Sequence, residues 1–288
     1  MDVIIEGFMR RVRQEHDLND LSTDQLFESF AAYCVIRKFH ENDFAPDHFR
    51  MGGKGDLGID AAAVSVNGTL YTDPDALKDA IESHGQLDVH FIIVQARTTP
   101  TFSAETFGAL GNNLEHVFTE TPMTLPCSHL VKRLRACSDV IYGAGAKLHK
   151  GLPKLSVYYV APGNPSSAAL DPQRKKSIDR LQKTGWFEHV EMQAVGSTEL
   201  RALFLQAHDA VKATFDARKY LPLPGMTGVD QAYLAVVDAR EFVDKVTRPR
   251  PHRPHSPGQR PAASGGVSVS QVGRRRCSRA GREATGPI

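Results

Sequence analysis

Two polar side chains end an apolar segment of the sequence. Residues 89–98 read VHFIIVQART, and Gln95 and Arg97 follow residues that are almost all apolar. Because side chains alternate between the two faces of a strand, the odd-numbered residues from Val89 to Arg97 share one face. That face becomes polar only at its C-terminal end, as the rim of a ligand pocket would. The alternative is a strand that simply emerges into solvent at this point.

An acidic residue at the start of another strand-like segment is the natural partner. Asp60 in GDLGIDAAAVSVNG shares a face with Ala62 and Val64, and a carboxylate is disfavoured inside a strand. The glycines of MGGKGDLG just before it permit a tight backbone approach. Asn67-Gly68 predicts a hairpin after this strand. We therefore expect the strand start that carries Asp60 and the strand end that carries Gln95 to meet at one edge of a sheet.

These residues offer the oxygen ligands that a hard divalent cation prefers. Asp60, the amide oxygen of Gln95 and the carbonyl oxygen of Ala96 form a set suited to Mg²⁺ or Mn²⁺, which keep several waters and use few carboxylates. Glu28 is expected to join through water or a hydrogen bond, because its small and apolar helical neighbours indicate an inward-tilted carboxylate. An ordinary solvated helix residue is the alternative for Glu28.

The surrounding segments predict alternating helices and strands. Ser22 and Gln25 form a capping-box pattern at the start of a helix that contains Glu28. The hairpin follows, then a short helix that begins at Pro74, and then a continuous apolar run that predicts a central strand covered on both faces. Further patterns predict four helices, at residues 102–120, 128–151, 171–185 and 197–219. They also predict two strands, at residues 154–163 and 187–195. This order favours an α/β fold, a mixed β-sheet sandwiched between α-helices.

Composition limits the classes of protein that the chain can belong to. Its 288 residues are 41% apolar, enough for a core, and contain no apolar run that could cross a membrane and no signal peptide. We expect a cytoplasmic protein without a membrane partner. The four cysteines lack metal-ligand spacing and are too few for a disulfide framework, so we expect reduced thiols.

Charge is distributed unevenly along the chain. The overall net charge is +2, but residues 1–247 hold 26 basic and 32 acidic residues, whereas residues 248–288 hold nine arginines and one acid. Overall charge therefore does not indicate a nucleic-acid partner, and any substrate phosphate must be bound by basic residues close to the site. The segment PQRKKSIDR is a basic helix start that either contacts a nucleic-acid backbone or forms a solvated face.

The sequence predicts three regions. Residues 1–217 form the main domain, residues 218–247 begin a following strand-helix segment that we expect to be truncated, and residues 248–288 form a disordered tail rich in Arg, Pro and Gly. The abrupt change of composition at Arg248 suggests a shifted reading frame. A basic arm that contacts nucleic acid is the alternative.

The residues also carry a family resemblance. Glu28, Asp60 in GDLGID and the QAR of Gln95 and Arg97 resemble the helix-E, G-x-D, Q-x-K arrangement of Mrr-type members of the PD-(D/E)XK nuclease superfamily. More narrowly, GGKGDLGIDAAAVSVNG and FIIVQARTTPTFSAETF resemble the N-terminal region of the abortive infection phage resistance (AIPR) family. The resemblance covers about residues 20–245, with its motifs within about 50–110. Members of that family are usually longer than this chain.

The resemblance implies a fold and an activity. It implies a restriction-endonuclease-like αβββαβ core and metal-dependent hydrolysis of phosphodiester bonds, with DNA as the expected substrate. It also implies a role in defence against phage, and homodimers are common among such proteins. Arg97 departs from the pattern, which has lysine there, and arginine cannot act as a base. Arg97 can still clamp a phosphate, and Lys54 on the glycine loop is a candidate for the missing amine. A catalytically degenerate module that only binds nucleic acid or a partner is the alternative.

Overall fold

The structure of the protein is a computed structural model. It describes residues 2–40, 44–119, 126–148, 151–209, 213–214, 219–222, 233–241 and 268–269. The chain divides into two compact units, residues 1–207 and residues 208–288.

The first unit is built on a five-stranded sheet. The strands are β1 (Ala61–Val66), β2 (Thr69–Tyr71), β3 (Val89–Ala96), β4 (Lys154–Val160) and β5 (His189–Val195), in the order β2-β1-β3-β4-β5. β1 is antiparallel to both β2 and β3, whereas β3, β4 and β5 are parallel. The sheet is therefore mixed, and β3 lies at its centre, as its apolar sequence predicts.

Helices cover both faces of this sheet. They are α1 (Val3–Glu15), α2 (Thr23–Ile36), α3 (Pro74–Ser83), α4 (Ala104–Thr119), α5 (His129–Gly143), α6 (Ser167–Lys183) and α7 (Ser197–Asp209). The odd-numbered side chains of β3 pack in one core with α3, α4, α5 and α6. Its even-numbered side chains pack in a second core with α1, α2 and α7. The predicted mixed sheet between helices is confirmed.

Local signals in the sequence account for many element ends. Ser22 and Gln25 form the predicted capping box at the start of α2, and Asn67-Gly68 joins β1 to β2 with both residues at positive φ. Pro74 is the first residue of α3, whose N-cap is Asp73. These contacts join neighbours in the chain, which is why the sequence predicts them.

Two predicted helices have different ends in the structure. α6 begins at Ser167, before the predicted start at Asp171, and so includes Pro172 in its interior. The helix predicted to reach residue 219 ends at Asp209, because Ala213–Thr214 form a strand, β6. β6 pairs with β9 (Ser268–Val269), and the local helical pattern carries no information about this distant partner.

Little of the C-terminal region is described. β7 (Lys219–Pro222) and β8 (Tyr233–Val236) form an antiparallel pair within residues 218–247. Apart from Ser268–Val269, the tail predicted to be disordered, with the suggested frame shift, lies outside the described residues. Within the described part of the chain, each helix is too short or too polar to span a membrane.

His90 is held in its neutral form by the second core. Its Nε2 lies 2.8 Å from Ser156 Oγ, and its ring packs edge-on against Phe39 at a centroid distance of 4.8 Å. Burial, helped by the nearby charge of Lys154, lowers the pKa of His90 from 6.5 to about 4.

We expect His90 to make the protein sensitive to acid. Between pH 6.5 and about 4 the unfolded chain binds the proton and the folded chain does not, so folding stability falls as the pH falls through this window. The free energy of unfolding of the wild type should decrease between neutral and acidic pH, and in His90→Gln this decrease should be smaller by about 2 kcal/mol. Denaturant titrations at several pH values measure this, with the exposed His129→Gln as control. Equal pH dependence of the His90 variant and the wild type would contradict the argument.

Candidate functional site

The start of β1 meets the end of β3 at one edge of the sheet. Ala61 pairs with Val94 in the antiparallel register, and Asp60 comes next to this pair. The Asp60 N–H donates to the Val94 carbonyl at 2.9 Å. The Ala96 N–H donates to Asp60 Oδ2 at 2.7 Å. The two strand ends that the sequence places together are thus joined by hydrogen bonds in both directions.

Gln95, the residue before the end of β3, is buried against the loop that precedes Asp60. The residue is only 5% exposed, and its Oε1 is buried without a hydrogen-bond partner. A buried carbonyl oxygen left in this way costs about 1–3 kcal/mol. Gly58, at φ +78°, approaches so closely that a Cβ there would lie 3.1 Å from Gln95 Nε2. The unpartnered oxygen can therefore act as a ligand to a cation or accept a hydrogen bond from a water.

Glu28 extends from α2 towards the same edge. Its side chain is 20% exposed and accepts a hydrogen bond from Arg50 Nε at 3.3 Å. A Cβ on Gly52 would lie 2.7 Å from Glu28 Oε2 and 3.5 Å from Asp60 Oδ1. The two carboxylate oxygens are consequently no farther apart than the sum of these distances, and glycine at position 52 leaves the space between them open.

Burial and nearby negative charge raise the pKa values of Asp60 and Glu28. Burial is the main cause that raises the pKa of Asp60 to about 7; the charges of Glu28 and Asp56 contribute, and the Ala96 N–H and the charge of Arg97 oppose them. Burial also raises the pKa of Glu28, against the lowering effect of Arg50. Asp60 is therefore partly protonated near neutral pH, and a cation bound beside it would displace the proton.

The glycine-rich loop before β1 is shaped by Asp56. Its carboxylate accepts the Gly53 N–H at 2.9 Å and the Gly58 N–H at 2.8 Å. Asn113 on α4 donates to the Leu57 carbonyl at 2.9 Å, which ties this loop to the rest of the domain. The loop is thus held in the position that brings Asp60 to the sheet edge.

The structure places the remaining predicted residues around this centre. Arg97 follows β3 and is exposed, and its charge lies near enough to Asp60 to lower the pKa of that carboxyl. Lys54 is exposed on the glycine loop. The Ala96 N–H is used by Asp60, and the role of the Ala96 carbonyl as a metal ligand stays a prediction.

Sequence reasoning missed two residues of the site. Asp56 influences both acids by charge and caps the loop between them; its position between glycines in GKGDLG is a local signal for such a cap. Arg50 pairs with Glu28 from a distance of 22 positions along the chain. No local pattern announces this contact, because it depends on how α2 packs beside β1.

The side chains present fit a hard divalent cation. Asp60 Oδ1, Gln95 Oε1 and the Glu28 carboxylate are oxygen donors, and the unpartnered amide oxygen is the observation that favours an ion or water there. Within the described residues, no group of three or more His, Cys, Asp or Glu side chains is arranged to hold a metal. With two carboxylates and one amide oxygen, a cation here would have few protein ligands, as Mg²⁺ sites do.

Comparison of the chain with family models, with curated proteins and with solved structures gave no match. The resemblance to the AIPR and PD-(D/E)XK families therefore stays a prediction from the motifs, and the functional argument rests on the geometry of the site.

The raised pKa of Asp60 makes a prediction about stability. Between pH 3.8 and about 7 the folded chain keeps a proton that the unfolded chain releases, so stability falls as the pH rises through this window. Asp60→Asn keeps an acceptor for the Ala96 N–H and removes this penalty. In the presence of a chelator, we expect the variant to be more stable than the wild type by about 2–4 kcal/mol above pH 7, with the difference closing near pH 4.

Denaturant unfolding across this pH range measures the difference. The exposed Asp20→Asn serves as the control, because it removes the same charge away from the cluster. A stability difference for Asp60→Asn that does not change with pH would show that the carboxyl is not under strain in the fold.

Proposed function

We propose that this protein is a Mg²⁺-dependent or Mn²⁺-dependent nuclease that hydrolyses phosphodiester bonds of DNA in defence against phage. The observation that carries the proposal is the proximity of two half-buried acids, Glu28 and Asp60, beside Gly52, together with the buried, unpartnered oxygen of Gln95, whose amide lies against Gly58 of the loop that precedes Asp60. Acids with raised pKa values near a buried polar atom that lacks a hydrogen-bond partner are typical of functional sites.

The order of the elements supports the same proposal. α2, β1, β2, β3, α4 and β4 follow one another in the order of the restriction-endonuclease-like αβββαβ core, with α3 inserted before β3 and α5 before β4. The motif resemblance adds the AIPR and PD-(D/E)XK families. A cytoplasmic location and a homodimer belong to the proposal on the same ground.

Each residue has a role in the proposed reaction. Asp60, Gln95 and the Ala96 carbonyl would hold the metal, with Glu28 completing the set directly or through water. A divalent metal there would supply charge neutralisation and a lowered pKa for a bound water. Burial of Gln95 and Asp60 keeps the donors desolvated, which strengthens their interaction with a cation.

Arg97 and Lys54 would act on the substrate. Exposed at the rim, Arg97 can donate two hydrogen bonds to the scissile phosphate and stabilise the charge that develops in the transition state. It stays protonated and so cannot accept the proton of the attacking water. Lys54, exposed on the glycine loop, is the candidate for a second contact to the phosphate.

The alternative is a catalytically degenerate module that binds nucleic acid or a protein partner. Two observations favour it: arginine replaces the lysine of the family pattern at position 97, and Glu28 is already paired with Arg50 at 3.3 Å. Both reduce the chemistry available to the site without disturbing the fold.

Metal-dependent cutting tests the proposal. Plasmid and single-stranded DNA should be cut in Mg²⁺ or Mn²⁺ and not in a chelator. Asp60→Ala should lower the rate at least about 100-fold, because it removes a metal ligand, whereas Asp20→Ala should not change it. Calorimetry with Mn²⁺ should show binding that Asp60→Ala abolishes. Salt-sensitive DNA binding without cutting would favour the degenerate module. If the protein neither binds nor cuts DNA, both functions are refuted.

Exchange of Arg97 separates its two possible effects. Arg97→Lys restores a group whose proton can be lost, so we expect single-turnover cutting to accelerate by about 10-fold or more. Arg97→Gln removes the phosphate contact and should slow it by a similar factor. A lysine variant no faster than the wild type would mean that proton transfer at this position does not limit the reaction.

A further inference from the structure

A groove of about 630 Å³ lies along α6 on the outer side of the first unit. Basic residues dominate its lining: Lys175, Lys176, Arg180 and Lys183, accompanied by the acids Glu115 and Asp179. The three lysines are exposed, and none of them has an ion pair among the described residues. Arg180 Nε lies 3.6 Å from Glu115 Oε2 on α4.

This concentration of positive charge contrasts with the rest of the folded chain. α6 holds five basic and two acidic residues, whereas residues 1–247 as a whole hold more acids than bases. Lysines that serve only solubility are usually mixed with acids along a helix. A polyanion would therefore be attracted to this face of the molecule more than to the remaining surface.

The groove lies along the later turns of α4 and α6. α4 follows β3 and α6 follows β4, and because these strands are parallel, both helices begin at the sheet edge that carries Arg97. Lys175 lies eight residues after the start of α6, about 12 Å along the helix axis, and Lys183 lies about 12 Å farther on. Packing against α4, where Ser177 Oγ donates to the Phe107 carbonyl at 3.1 Å, holds the helix in place.

We infer that the α4–α6 groove binds the phosphate backbone of a nucleic acid and holds it along α6. Neighbouring phosphates along one strand lie several ångströms apart, so the spacing of the lysines suits two or three consecutive contacts. These contacts carry no base recognition and would give affinity that weakens with salt. The inference rests on the proposed function only for the choice of nucleic acid as the polyanion.

The experiment neutralises the three lysines in the full chain. Binding of a labelled oligonucleotide is measured by fluorescence anisotropy across a salt series, in a chelator so that nothing is cut. Relative to the wild type, Lys175→Gln/Lys176→Gln/Lys183→Gln should raise Kd by about 10-fold or more at low salt and reduce the slope of log K against log salt by about 2–3. Asp179→Asn should act in the opposite direction and lower Kd by about 2-fold.

A matched control removes three charges elsewhere. Arg10→Gln/Lys78→Gln/Lys219→Gln neutralises exposed bases on α1, α3 and β7, and the arginine-rich tail is present in every variant, so its contribution cancels in the comparison. Thermal unfolding verifies that the variants fold. Equal effects of the two triple variants, or no binding by the wild type, would overturn the inference.

The result is separable from the fate of the proposed function. Loss of affinity in the groove variant without any metal-dependent cutting by the wild type would support the groove and refute the nuclease. Cutting that Asp60→Ala abolishes, with unchanged binding by the groove variant, would support the nuclease and refute the groove.

Discussion

Burial of the Asp60 carboxylate at the open end of the β1–β3 pair is the constraint on which the site depends. The carboxylate stays there because its Oδ2 accepts the Ala96 N–H, and the antiparallel register fixes which residue of β3 stands opposite. Gln95, the residue before Ala96, is buried against Gly58 of the preceding loop. The preceding loop reaches this point because Asp56 accepts two of its N–H groups and glycines occupy the crowded positions.

This arrangement concentrates negative charge in a poorly solvated place. Burial is the main cause of the raised pKa values of Glu28 and Asp60, the charge of Asp56 adds to both, and Arg50 and Arg97 compensate only in part. A cation would relieve the repulsion and satisfy the Gln95 oxygen together. The repulsion between the acids lowers the stability of the fold when no cation is bound, and the same repulsion would favour metal binding, as expected where function and stability compete.

Most of the elements of the first unit could be predicted, because their signals are local. The capping box of α2, the Asn67-Gly68 turn and the apolar run of β3 act through neighbours in the chain. The end of α7 could not be predicted in this way, since Ala213–Thr214 pair with residues more than fifty positions away. The start of α6 was misplaced because Pro172, normally a first-turn residue, lies inside the helix.

For the candidate site, the sequence by itself determined the strand ends on which Asp60, Gln95 and Arg97 lie and made these residues candidates, because alternation of side chains and hairpin order follow from the local pattern. Only the tertiary structure decided that Glu28 shares the space beside Gly52 with Asp60, that Arg50 pairs with Glu28, and that the lysines of α6 line a groove together with Glu115 of α4. These relations are distances between segments remote in the chain. They arise from how helices pack on the sheet, which no short-range pattern specifies.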